Sequence, residues 1–210
     1  MESFKVLKKF LFLFLISLTS LSQAEPLGYE TLSPAQPTQN PDKIEIIEFF
    51  WYGCPHCYSF EPELEKWLKN KPDNVEFIRQ PAVFSKLWGT HAKAYFVAEA
   101  LGIVDKVNDD LFDAIQNKKQ KLNNEDKLAE FFVAHGVDET KFRTTYNSFL
   151  IDTKLRQAKA MAPRYGITGV PAIIINGKYK TNGPLAKSQE NMIKVMDQLI
   201  QQESKGDGKK

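Results

Sequence analysis

The sequence predicts an α/β fold in which a small mixed sheet is interrupted by a block of helices. Three observations carry this. Ile44–Trp51 (IEIIEFFW) is rich in β-branched and aromatic residues; a helical pattern follows from Pro55, and a second strand at Val75–Gln80. Residues 85–165 then read as one helix after another. Finally, β signals return at Ala172–Ile175 and Lys178–Lys180, on either side of Asn176-Gly177, a dipeptide suited to a tight hairpin.

Taken in order, residues 1–24 come first. Lys5, Lys8 and Lys9 precede an apolar run, Phe10–Leu21, and then Ser22-Gln23-Ala24. This is the pattern of an export signal cleaved near Ala24, and the run is too short to span a bilayer. The segment holds three lysines and one glutamate, which accounts for the formal net charge of +2, so the exported chain is close to neutral. A short strand is expected near Tyr29–Leu32, then a loop at 33–42 with three prolines.

The helix from Pro55 to about Asn70 places Cys57, Phe60, Leu64 and Trp67 on one buried face, and Pro62 is expected to kink it. Within 85–165 the candidate helices are Ala92–Leu101, Val107–Ile115, Glu125–Ala134, Lys141–Phe149 and Lys154–Met161, punctuated by Gly102, Gly136 and Pro163. Their apolar faces need one another, so 85–165 should form a compact helical subdomain inserted between 25–84 and 166–204. Asn191–Ile200 closes the pattern as an amphipathic helix, with a flexible tail at 205–210.

Composition excludes several classes. With 42% hydrophobic and 26% charged residues the chain is neither disordered nor fibrous. No charge excess points to nucleic acid. The two cysteines cannot form a disulfide framework.

Both cysteines fall in Cys54-Pro55-His56-Cys57, between a strand and a helix. Pro55 suits the first helical position, where no N–H is needed. Free N–H groups and the helix dipole favour negative charge on Cys54, and a protonated His56 would add to this. A stabilised thiolate favours the dithiol over the disulfide, which makes the disulfide an oxidant. A structural bridge would enclose too short a loop to stabilise much. Zinc would need four ligands, and only His56, His91 and His135 could join the thiols. No metal and no cofactor beyond a Cys54–Cys57 disulfide are therefore expected. His91 and His135 read as surface or capping residues, and Trp51, Tyr52 and Trp88 as core or groove border.

The chain also resembles the DsbA family of thioredoxin-fold thiol oxidases. The resemblance rests on Glu48-Phe49-Phe50, Cys54-Pro55-His56-Cys57-Tyr58, Gly169-Val170-Pro171-Ala172 and Asn176-Gly177-Lys178-Tyr179, with a helical insertion between them. It implies a thioredoxin-like sheet. Cys54 would be an exposed nucleophile and Cys57 the buried resolving thiol, with Pro55 and His56 tuning the potential; this family is itself the usual example of such an acidic thiol. Val170–Pro171 would be a cis peptide that offers backbone to an extended substrate. Glu48 would be the buried acid that moves protons for Cys57. Its apolar neighbours Ile46, Ile47, Phe49 and Phe50 argue for burial, and a solvent-facing position is the alternative.

The resemblance further implies a periplasmic, monomeric enzyme that oxidises cysteine pairs of unfolded exported proteins and is reoxidised by a membrane quinone-linked partner of the DsbB type. Two other readings stay open. One is a disulfide isomerase or reductase on the same fold, although residues 25–43 leave little room for a dimerisation segment. The other is a peptide-binding chaperone module with a structural disulfide.

Overall fold

A computed structural model describes residues 28–207; the predicted export signal lies outside them. The sheet has five strands in the order β1-β5-β4-β2-β3. These are β1 (Glu30–Thr31), β2 (Ile44–Phe50), β3 (Val75–Pro81), β4 (Ala172–Ile175) and β5 (Tyr179–Asn182). β2 runs parallel to β3 and antiparallel to β4, and this register sets Glu48 beside Arg79 on one side and Ile173 on the other. Eight helices are present among the described residues: α1 (Pro55–Leu68), α2 (Lys86–Ala100), α3 (Val104–Gln116), α4 (Glu125–Ala134), α5 (Glu139–Tyr146), α6 (Phe149–Arg164), α7 (Gly183–Ala186) and α8 (Gln189–Asp207).

β2 is buried along its whole length, as a central strand covered on both faces must be. On one face Ile44, Ile46, Ile173 and Ile175 pack against Phe60, Leu64 and Trp67 of α1 and Met192, Met196 and Leu199 of α8. On the other, Ile47, Phe49 and Ile174 meet Ala162 of α6, Tyr165 and Ile167. The helices α2 to α6 build a third core around Leu111, Phe112, Leu128, Phe132 and Phe142. Phe50, Tyr52, Cys54 and Cys57 belong to that same cluster, so the cysteine pair sits where the helical block meets the sheet.

Several elements differ from expectation. Four helices of the block begin earlier than their apolar periodicity, since Ser85, Asp138 and Ser148 cap α2, α5 and α6 by accepting from Trp88, Lys141 and Ile151 N–H, and α3 starts at Val104. Phe149 therefore opens α6 rather than closing α5. Pro163 lies inside α6, and Gly166, at φ +59°, follows its end. α1 runs through Pro62. α8 reaches Asp207, beyond the point where the tail was expected to fray, and residues 208–210 lie outside the described part. α7 was not foreseen. The Asn176-Gly177 turn has φ of +50° and +63°, the left-handed pair a two-residue hairpin needs.

Candidate active site

Cys54 is the N-cap of α1, with Pro55 at the first helical position and His56 exposed beside it. The chain arrives through Gly53, where any Cβ would lie 2.2 Å from the Trp51 ring. Cys54 N–H returns to Trp51 carbonyl at 2.9 Å, which closes the turn into the helix. Cys54, expected to be exposed, is a buried residue at 8% exposure, with its Sγ donating to Val170 O at 3.4 Å. The Val170–Pro171 peptide is cis. Cys57 is completely buried.

The two sulfurs are biased in opposite directions. The Cys54 thiol is lowered to about 6, first by the Cys57 thiol that hydrogen-bonds to it, against the opposing cost of burial. The backbone N–H groups of Cys57 and His56 help next, and the His56 charge contributes last. In the thiol form no cap hydrogen bond to Sγ reaches full geometry, so these N–H groups act on the charge once it forms. Burial, with the bond to Cys54 and the charges of Cys54 and Glu48, pushes Cys57 well up.

Beneath the cysteines lies a buried polar network that the sequence only partly announced. Glu48 is fully buried and bonded through Oε2 to Arg79 Nη1 at 3.0 Å, while its Oε1 is buried without a hydrogen-bond donor. Arg79 also donates to Glu61 from both nitrogens, at 2.8 and 2.9 Å, and to Glu65 at 2.7 Å. Asn108 of α3 bonds Glu61 at 3.2 Å and accepts from the Tyr52 hydroxyl at 3.1 Å. One guanidinium faces three carboxylates here, so burial and the surplus negative charge raise the Glu48 carboxyl and favour a proton on it at neutral pH.

His91 corrects the sequence reading. It is buried, its Nδ1 accepts from Trp51 Nε1 at 2.9 Å, and burial lowers its pKa to about 4, so it is a neutral acceptor rather than a surface residue. Trp51 stacks on Trp88 at 4.2 Å beside the cysteine turn. His135 caps α4 as expected, with Nδ1 2.7 Å from Phe131 O. On the open side, His56, Val170, Pro171, Pro184, Gln189 and Met192 are among the residues lining a groove of about 610 Å³. Among the described residues no cluster of three or more His, Cys, Asp or Glu could hold a metal ion.

Of the seven predicted site residues, the structure gathers Cys54, Pro55, His56, Cys57, Val170 and Pro171 at one helix end and sets Glu48 below Cys57. The residues that sequence reasoning missed are Arg79, Glu61, Asn108 and Gln189. Glu61 could have been found, since it falls four residues after Cys57 on the same helical stripe.

A thiol pair with opposed acidities, on a helix that opens beside a cis-proline loop, defines a thioredoxin-fold thiol–disulfide oxidoreductase. The comparisons agree. The family model of the DSBA-like thioredoxin domain matches residues 89–196. The chain is 41% identical over 175 residues to the thiol:disulfide interchange protein DsbA of Pseudomonas aeruginosa, covering 83% of each. It is 38% identical over 206 residues to that of Burkholderia cepacia, covering 93% of this chain and 97% of the other. The crystal structure of Pseudomonas aeruginosa DsbA superposes with a TM-score of 0.83 at 40% identity, over 87% of this chain and 95% of that one. The chain belongs to the DsbA family.

Proposed function

We propose that this protein transfers its Cys54–Cys57 disulfide to cysteine pairs of unfolded exported proteins. The observation that carries this reading is the placement of the two sulfurs, Cys54 at the groove edge against Val170 and Cys57 buried above Glu48. A substrate thiolate attacks the Cys54 sulfur, forming a mixed disulfide and breaking the Cys54–Cys57 bond. Cys57 leaves as a thiolate and takes a proton from Glu48, which burial keeps protonated. The second substrate thiolate then attacks the substrate sulfur of the mixed disulfide, and Cys54 leaves as a stabilised thiolate. The substrate loses two electrons and the protein gains them. High acidity at Cys54 suits its departure, whereas Cys57, a poor thiolate leaving group, relies on the proton from Glu48 to leave.

Val170 and Pro171 hold the incoming chain in extended form, with the open groove beside them. Pro55 and His56 set the potential at the helix start, and residues 85–165 serve as a helical subdomain bordering the site. The export signal at 1–24 puts the work in the periplasm, where the protein acts as a monomer and a quinone-linked membrane partner of the DsbB type restores the disulfide. No helix among the described residues is long and apolar enough to cross a membrane. Replacing Cys54 by Ser should abolish oxidation of a reduced, unfolded substrate. If oxidation persists, Cys54 is not the reacting sulfur; if peptide binding alone were the function, the variant would lose nothing.

A further inference from the structure

The first turn of α1 is gripped from outside. Gln189, the first residue of α8, donates from Nε2 to the His56 carbonyl at 2.7 Å and lies 2.7 Å from Ser59 Oγ. Ser59 donates to the same carbonyl at 3.1 Å. A carbonyl oxygen only accepts, so the Gln189 amide must turn its nitrogen toward it. The His56 carbonyl and the Cys57 N–H are the two ends of one peptide unit, and that N–H is among the groups that favour the Cys54 thiolate. Two donors therefore pull on the oxygen end of a unit whose nitrogen end faces the sulfur. Hydrogen bonds in series polarise one another, by roughly 10–30% per bond.

We propose that Gln189 is a positioning residue for the redox reaction: by drawing on the His56 carbonyl it makes the Cys57 N–H a stronger donor to the Cys54 sulfur, and so makes the disulfide more oxidising. This rests on Cys54 as the reacting sulfur. Gln189 is half-buried at a helix start and bonds the His56 carbonyl rather than either cysteine, so nothing in the Cys-Pro-His-Cys stretch would reveal it.

The test is Gln189→Met in the full protein, which keeps the side-chain length and removes the donor. Two readouts are needed: the thiolate absorbance titration of Cys54, and the equilibrium with glutathione. The Cys54 pKa should rise by about 0.3–0.5, and the oxidation equilibrium should weaken by about two- to threefold. Ser59→Ala should shift both in the same direction, and the double variant further than either. Gln189→Glu, which cannot donate when ionised and adds negative charge at the helix start, should exceed Gln189→Met. A Gln189→Met protein with the wild-type titration and equilibrium overturns the proposal, even if both redox forms melt earlier, because Gln189 would then only clamp α8. If the Gln189 variants fail to fold, Ser59→Ala at its exposed position decides in the same way. A wild-type Cys54 that titrates near an ordinary thiol would instead refute the reading of the site.

Discussion

The upper and lower sides of the first turn of α1 are built on opposite principles. Above, at the groove edge, Cys54 meets hydrogen-bond donors, and its thiolate is favoured without a full countercharge. Below, Cys57 and Glu48 meet burial and a surplus of carboxylates around one arginine, and their neutral forms are favoured. Two residues, Pro55 and His56, thus separate a sulfur suited to leave from one suited to take up a proton. The hydrogen bond from the Cys57 thiol and, after it, the N–H groups at the helix start tune the first. Desolvation tunes the second, and it needs Arg79 to be tolerable at all.

The lower side should be the more fragile. Arg79→Met removes the cation shared by Glu48, Glu61 and Glu65 and leaves the buried acids Glu48 and Glu61 without their partner. Urea unfolding at neutral pH should show a loss of about 3–5 kcal/mol, shrinking in acid as the carboxyls take up protons. A loss below about 1 kcal/mol would mean that the network is dispensable. Glu48→Gln should slow disulfide transfer on the order of 10²-fold in single-turnover measurements while moving the glutathione equilibrium little. Equal effects on rate and equilibrium would show that Glu48 acts on the potential and not on proton transfer. On the upper side, His56→Ala should raise the Cys54 pKa by less than about 1, because the exposed His56 charge ranks last among the influences there. A larger rise, read by thiolate absorbance, would move His56 ahead of the backbone donors.

Legibility divided along the same line. The upper side lay almost entirely within a contiguous Cys-Pro-His-Cys motif, readable from its residues, and the Gly-Val-Pro stretch, whose role came from the family resemblance. The lower side is assembled by register: Glu48 and Arg79 stand 31 positions apart and meet only because β2 and β3 pair in parallel. Asn108 and Gln189 come from still more distant helices, and polar residues at such positions read as solvent-facing until packing is known. Burial also overturned the surface reading of His91, whose partner Trp51 is 40 positions away. Element types were legible from periodicity, but helix starts were not, since caps such as Ser85 and Ser148 lengthen helices past their apolar stripe.

The central claim is that thiolate stabilisation at Cys54 makes the dithiol the favoured form. It is tested most directly by comparing the unfolding free energies of the reduced and oxidised protein across pH. The Cys54 pKa is lowered on folding from an ordinary value of 9.0 to about 6. Its stabilisation of the reduced form is therefore complete above the ordinary value and lost as pH falls through about 6. The reduced protein should be the more stable, by a margin that grows by about 1.4 kcal/mol per pH unit between those values and flattens below them. A reduced form less stable than the oxidised one at neutral pH, or a margin that ignores pH, would contradict the account.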